Sequence, residues 1–498
     1  MRSKAKPRVT HQAPAPQAEY SALAALKRSR WLYALVSLLL VAPCYWQSHI
    51  QAGDLSSHIY NAWLAQSIEG GRILGLRIAA QSTNVLFDLM LYGLLNVVGP
   101  DWAQRISVSL AVLIFIWGAF AFARAVSGRV PWQILPCIAI LAYGWVFRMG
   151  FFNFYLSMGL CLWALALLWE PSGRHIAAAL PILAVAYLAH ALPVAWVAGL
   201  AVYNGIARRF PANQRAYLFF GSIAAVVALR VAIAAKMQSV WSANQIVMTT
   251  GADQVWVFDS KYYAVMVALL FVWVVLFLNL TRGGAARQVF TGVPFQLCIV
   301  SAAAILILPN TILIPGYKHT LGFVAERMSL GVGICICALL AGAGARSFER
   351  GAIVAVAAVF FAFLYHDERA INALEDRMER MLAVLPPGQR VISAIDDESL
   401  RINLAHVIDR ACIGHCYSYA NYEPSTAQFR VRADAPNPYV TPLYADSWLM
   451  QVGSYVVKDR DLPLYQVDLD ASGQMVVKSL RAGEACGSTK WNVLGNLL

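Results

Sequence analysis

Charge is what this chain has least of. Asp, Glu, Lys and Arg make up 13% of its 498 residues, against roughly 25% in an ordinary soluble domain. Hydrophobic residues reach 59%, so water is excluded as the sole solvent and lipid is implied. Acids are scarcest: between residues 31 and 365 there are nine, namely Asp54, Glu69, Asp88, Asp101, Glu170, Asp253, Asp259, Glu326 and Glu349. No basic stripe with interleaved aromatics occurs, which removes nucleic acid as a partner. No repeat of fixed period is visible either, and with it goes the main signature of a transporter built from duplicated halves. A soluble nucleotide-sugar motif is also lacking.

Apolar stretches of about 16 to 20 residues, each able to span a hydrocarbon core about 30 Å thick, fill the first three quarters. Examples are Trp31–Trp46, Ile106–Ala123, Trp132–Phe147, Phe154–Trp169, Tyr262–Leu280, Val293–Leu308 and Met328–Ala345. The expected fold is a polytopic α-helical membrane protein of about 11–13 transmembrane helices with a C-terminal extracytoplasmic α+β domain. Its divisions are a disordered basic cytoplasmic leader (1–30), a transmembrane domain (31–365) with a first outer loop at 48–83, and the tail (366–498). The net charge of +12 supports this division. The leader carries seven basic residues and one acid, whereas the tail has thirteen and seventeen.

Short basic loops orient the chain by the positive-inside rule. Arg208, Arg209 and Arg215, then Arg282 and Arg287, then Arg346 and Arg350, face the cytoplasm of a plasma (inner) membrane. The N-terminus lies on the same side. Segments 236–261 and 310–327 then fall outside, as does the tail. Phe87–Val98 is a short re-entrant or interfacial segment, unless it crosses fully and the parity breaks near His190-Ala-Leu-Pro193. In the tail, His366–Leu385 reads as a helical stalk. Gln428–Arg432, Leu449–Val457, Leu464–Leu469 and Met475–Leu480 read as strands. Cys412, Cys416 and Cys486 lie in this tail, where an oxidising compartment permits one disulfide and leaves one thiol. Cys412, His415 and Cys416 alone fall short of a closed zinc site, and no metal ligands are assigned.

The densest local signal follows the first helix. Gly53-Asp54-Leu55-Ser56-Ser57-His58 opens a helix with apolar residues at 55, 59, 63, 64 and 68, closed by Glu69-Gly70-Gly71. It reads as an amphipathic helix on the outer membrane surface, with Asp54 either a helix cap or a functional acid. Next comes Asn84-Val85-Leu86-Phe87-Asp88, running on to Gly99-Pro100-Asp101-Trp102-Ala103-Gln104-Arg105. Finally Tyr143-Gly144-Trp145-Val146-Phe147-Arg148-Met149-Gly150-Phe151-Phe152-Asn153-Phe154-Tyr155 leads into a long apolar helix.

Over about residues 30–210 these three features resemble the GT-C superfamily of polyprenyl-phosphate-sugar-dependent glycosyltransferases. The resemblance implies that Asp54 is the catalytic acidic residue, with Asp88 or Glu69 as a second acid. It also implies a lipid-linked sugar as co-substrate and a glycan or other hydroxyl as acceptor, and leaves the need for a divalent metal open. Chemically, a carboxylate can accept a sugar hydroxyl's proton as the hydroxyl attacks the donor's anomeric carbon. A departing lipid phosphate needs cationic partners, and His58, Arg148, Lys318, His319 and Arg327 are the candidates. The rival readings are a membrane transporter or lipid-linked glycan flippase, which would lean on Arg230 and Asp88, and a non-catalytic membrane scaffold.

Overall fold

The computed structural model describes residues 30–490, apart from 397–399, 403, 427, 434–435, 471, 473 and 488. The leader up to residue 29 lies outside them. By length and composition, four helices are long and apolar enough to cross a membrane: Leu86–Ser127, Arg215–Lys236, Tyr262–Thr281 and Ser347–Leu382. Shorter apolar helices accompany them at Arg30–Cys44, Trp132–Arg148, Phe152–Leu168, Gly173–Ala189, Ala191–Ala207 and Val293–Ile307. The architecture is that of a helical membrane protein.

Position in the bundle follows from side-chain size and polarity. Arg215–Lys236 buries none of its residues, and an apolar helix with no protein around it is one that faces lipid. Phe152–Leu168 is the opposite case, buried along most of its length. It approaches Leu86–Ser127 at backbone contact, because a side chain at Gly118 would meet the Gly159 carbonyl at 2.5 Å. Lipid offers helices no hydrophobic drive to associate, so such small-residue contacts carry the packing.

Leu86–Ser127 is not one straight helix. Gly99 takes φ 78° and ψ 172°, and Pro100 follows. The piece before the break rises about 20 Å, less than a hydrocarbon core.

The stalk helix Ser347–Leu382 passes unbroken across the boundary placed at residues 365 and 366. Leu364, Ile371, Leu374, Met378 and Leu382 are buried at spacings of three, four and seven, which keeps one face of the helix covered. Beyond it, Arg390–Ser393 pairs in parallel with Tyr417–Ser418 and with Leu464–Leu469, which in turn pairs antiparallel with Met475–Leu480. Two of the strands expected from alternation differ. Tyr444–Gln451 is a helix that buries Asp446, Ser447 and Met450, a helical spacing at the start of what reads as strand Leu449–Val457. The strand in the Gln428–Arg432 region is Val431–Ala433, and its partner is Leu76–Ile78 of the first loop.

That ladder is one of several ties between tail and first loop. Asn372 and Glu375 of the stalk bond Ser48, the His49 backbone and Gln51. Arg410 of the tail reaches the Ile50 carbonyl and Ser56 Oγ. Consequently the loop helix Leu55–Glu69 does not lie open on a membrane surface. Its polar residues Ser56, Ser57 and Asn61 are buried beneath the tail, which supplies the hydrogen-bond partners that lipid lacks.

Arg148 sits under this junction with a side chain 1% exposed, paired to Glu368, itself 1% exposed. Removing one partner of such a pair leaves a buried, uncompensated charge. Glu368→Ala is expected to destabilise the fold by about 3–5 kcal/mol, while Arg148→Met combined with Glu368→Leu recovers most of the loss. Thermal unfolding in detergent measures this; a Glu368→Ala midpoint equal to wild type would show that the pair carries no stability.

Candidate functional site

Asp54 stands at the first turn of the loop helix, yet its side chain makes no capping hydrogen bond. The capping explanation for an acid at this position therefore fails. Its backbone is held from the other side: Gly53 and Asp54 donate their N–H groups to the Arg148 and Met149 carbonyls at 2.7 and 2.9 Å. Gly150 makes this approach possible. It has φ +81°, and a Cβ there would lie 2.4 Å from the Asp54 nitrogen, so any side chain would collide with the backbone as well as strain its own.

The freed carboxylate looks toward the tail. Asp54 Oδ1 lies 3.8 Å from His406 Nε2, and the other ring nitrogen of His406 meets Asp409 Oδ2 at 3.0 Å. Asp409, which also accepts a hydrogen bond from Ser418, thus fixes the imidazole so that Nε2 points at Asp54. Burial opposes charge on His406, but Asp409 and Asp54 outweigh it and hold its pKa above the usual histidine value.

A second hydrogen-bonded chain runs beside the first. His58 Nδ1 meets Asp88 Oδ1 at 2.7 Å, Asn153 Nδ2 donates to Asp88 Oδ2 at 2.7 Å, and the Phe87 N–H donates to Asn153 Oδ1. The three sequence features therefore converge in space. Burial works against a charged His58, but the Asp88 carboxylate, with Glu423 and Asp54 behind it, pushes its pKa up to about 9. Glu423 is 5% exposed, and burial, then Asp88 and Asp54, push its pKa to about 8. A small cleft lies between the loop helix and the tail here, lined by Asn61, Asn84, Asp88, Glu423, Phe429 and Arg430.

Arg327 lies within electrostatic range of Asp54. Its guanidinium stands 4.0 Å above the Phe151 ring, and its Nε is buried without a hydrogen-bond partner among the described residues. His319 stacks on Tyr422 at 5.7 Å and contacts Phe429 and Tyr444. Asp54 is near enough to act electrostatically on Arg327, His319, Tyr422 and His406. A carboxylate without a capping role, a buried cation and a group of aromatic rings thus lie near one another where the loop helix meets the tail.

Not every expected residue belongs to it. Arg148 is consumed beneath the site by Glu368 and the Gln51 carbonyl. Glu69 lies at the far end of the loop helix, about 22 Å along its axis from Asp54, where it pairs with Tyr92 and Arg430. It is no second acid to Asp54. Asp88 is at the site but committed to His58 and Asn153, which makes it a positioning residue. Lys318 is exposed and reaches the Ser425 carbonyl at 3.4 Å. His190 caps the helix that follows it, accepting from the Leu192 N–H.

Asp253 is not the solvated loop acid its surroundings suggest. It is 1% exposed, bonded to Ser329 and facing Arg401, and burial raises its pKa to about 7. Cys412 and Cys416 form a disulfide, and Cys486 is a buried free thiol. The tied thiols cannot serve as thiolate ligands to a metal.

His406, Asp409, Tyr422 and Glu423 were not found from the sequence. The only local signal is the His406-to-Asp409 spacing on the short helix Val407–Ala411, and nothing in it points to a loop more than 350 residues earlier. Comparison with protein-family models, curated proteins and solved structures finds no match to this chain.

Two outcomes follow from this geometry. Gly150→Ala is expected to lower the unfolding midpoint and displace Asp54, so cross-linking between cysteines placed at 53 and 406 should fall relative to the Gly150 parent; equal cross-linking would show that the close approach is dispensable. The second concerns pH. His58, with its folded pKa above its unfolded value of about 6.5, contributes stability that is complete below pH 6.5 and lost as pH rises through about 9. Glu423, an acid with a raised folded pKa, likewise favours the fold at lower pH, over the range from about 4.5 to 8. The midpoint should therefore fall from pH 6.5 to 9, with a shallower fall in Asp88→Asn; identical slopes would remove Asp88 as the cause.

Proposed function

We propose that this chain is an integral membrane glycosyltransferase of the GT-C type, moving a sugar from a polyprenyl-phosphate donor to an acceptor hydroxyl, with Asp54 as general base. The observation that carries the reading is a carboxylate at a helix start that makes no capping hydrogen bond and lies within electrostatic range of Arg327, whose buried Nε has no hydrogen-bond partner among the described residues. In this reading the acceptor hydroxyl gives its proton to Asp54 as its oxygen bonds to the anomeric carbon. The bond from that carbon to the lipid-phosphate oxygen breaks, and the negative charge left on the phosphate is met by Arg327. His319 stands beside the same space, while His406, whose charged form Asp409 and Asp54 favour, places positive charge beside the Asp54 carboxylate. The aromatic faces of Tyr422, Phe429 and Tyr444 suit the apolar face of an acceptor sugar ring.

The reading also includes about 11–13 membrane crossings, a cytoplasmic N-terminus and an extracytoplasmic tail in the plasma (inner) membrane. The Cys412–Cys416 disulfide supports the last of these, since disulfides persist in oxidising compartments.

Asp54→Asn keeps the side chain's size and removes its basicity. Lipid-linked sugar turnover in membranes carrying equal amounts of protein should drop by about 10²–10⁴-fold, and undiminished turnover would end the assignment of Asp54 as base. Arg327→Gln should reduce turnover by about 10²–10³-fold while leaving the unfolding midpoint near wild type. A large stability loss with unchanged turnover per folded molecule would make Arg327 structural.

A further inference from the structure

The stalk helix turns two carboxylates toward the first loop. Asp376 and Glu379 are three residues apart, hence on one helical face. His49 lies opposite them, five residues before Asp54 in the chain. Its backbone is clamped by Asn372, one turn earlier on the same helix: the His49 N–H donates to Asn372 Oδ1 at 2.7 Å, and Asn372 Nδ2 donates to the His49 carbonyl at 3.2 Å. Ser48 Oγ donates to the same Asn372 Oδ1 at 2.9 Å. The imidazole is therefore delivered to a fixed place by bonds that leave its ring nitrogens free.

His49 Nε2 is 3.5 Å from Asp376 Oδ1 and also 3.5 Å from Glu379 Oε1. Hydrogen bonds from ring nitrogen to oxygen run at about 2.7–3.2 Å, and a single N–H can be aimed well at one acceptor only. Here Nε2 stands equally far from two, beyond hydrogen-bond distance of both. A different geometry has this spacing as its norm. Around a tetrahedral zinc ion with bonds of about 2.0–2.1 Å, adjacent donor atoms are about 3.3–3.4 Å apart. The three donor atoms of His49, Asp376 and Glu379 all lie within 4.8 Å of one another, so small side-chain adjustments bring them onto one ion.

We infer that His49, Asp376 and Glu379 bind one divalent transition-metal cation, and that Zn²⁺ is the best match. Two carboxylates and a neutral imidazole carry the charge that neutralises a divalent ion. The imidazole donor disfavours Ca²⁺ and Mg²⁺, which take oxygen ligands, and suits Zn²⁺. The His49 side chain is 12% exposed while the two carboxylates are 42% and 40% exposed. A bound ion would thus be shielded on its histidine side and open to water at its fourth position. Its physical effect is a cross-link between the stalk and the loop that leads to Asp54, independent of whether Asp54 transfers sugar.

The test uses the full chain, purified in detergent and stripped with a chelator, titrated with ZnCl₂ by calorimetry and by equilibrium dialysis. Wild type and Asp54→Asn should each bind one tight equivalent that millimolar Mg²⁺ does not displace. Asp376→Asn and Glu379→Gln should bind at least tenfold more weakly, and Zn²⁺ should raise the unfolding midpoint of wild type but not of these two. Absence of a stoichiometric equivalent in wild type overturns the inference, as does equal affinity in the variants. X-ray absorption at the zinc edge of loaded wild type needs no variant to fold. One nitrogen with oxygen neighbours supports the site, and sulfur ligation refutes it. Loss of sugar transfer in Asp54→Asn with zinc binding intact separates this site's fate from that of the proposed activity.

Discussion

The buried Arg148 guanidinium is the point on which the junction depends. It takes the Gln51 carbonyl of the first loop at 2.9 Å, the carboxylate of Glu368 on the stalk and a place over the Phe147 ring at 4.7 Å. Three segments far apart in sequence therefore meet at one cation. A charge this deeply buried is tolerable only when its donors are used and its counter-ion is present. The first loop, the turn at Tyr143–Gly150 and the stalk are thus constrained to assemble together. Asp54 sits directly above, with its backbone nitrogen on the Met149 carbonyl, so the position of the free carboxylate follows from the same assembly.

Sequence reasoning located the parts of the site that lie within one stretch of chain and ranked them by chemical rarity. An acid in a segment almost without acids is conspicuous, and Asp54, His58 and Asp88 do stand together. Arg327, more than 250 residues later in the chain, also lies within electrostatic range of Asp54. Arg148 shows where this reasoning fails. A lone arginine at the end of an apolar run suits a phosphate contact and a structural pair equally well, and only the position of Glu368, more than 200 residues away, separates them. Glu69 fails for a simpler reason, because fifteen residues of helix put it at the wrong end.

The tail was less legible because its pairing is not local. Leu464–Leu469 and Met475–Leu480 pair antiparallel with the bounds expected from the sequence. Val431–Ala433 finds its partner in the first loop, which no periodicity within the tail can reveal. The unbroken stalk misleads in another way. Its composition changes sharply after Tyr365, but its buried face does not, since Leu364, Ile371, Leu374, Met378 and Leu382 continue one stripe. Composition marks where the solvent changes, whereas the stripe marks where the fold continues.

Because His406, Tyr422 and Glu423 come from the tail, the cleft exists only when the tail is docked. Docking adds hydrogen-bond partners to the polar face of the loop helix. Ser56, Ser57 and Asn61 are buried there, and a buried polar group left unsatisfied costs about 1–3 kcal/mol. Asn61 and Ser57 bond each other within the helix, but this leaves the Asn61 side-chain carbonyl and the Ser56 hydroxyl to be met from outside. Arg410, Asn421 and Glu423 from the tail satisfy them. The polar residues that make the loop helix a poor membrane-surface helix are therefore the ones that make it a good seat for the tail. Its mixed sequence encodes a contact between two parts of one chain, and Asp54, with a side chain 21% exposed, lies at the edge of that contact.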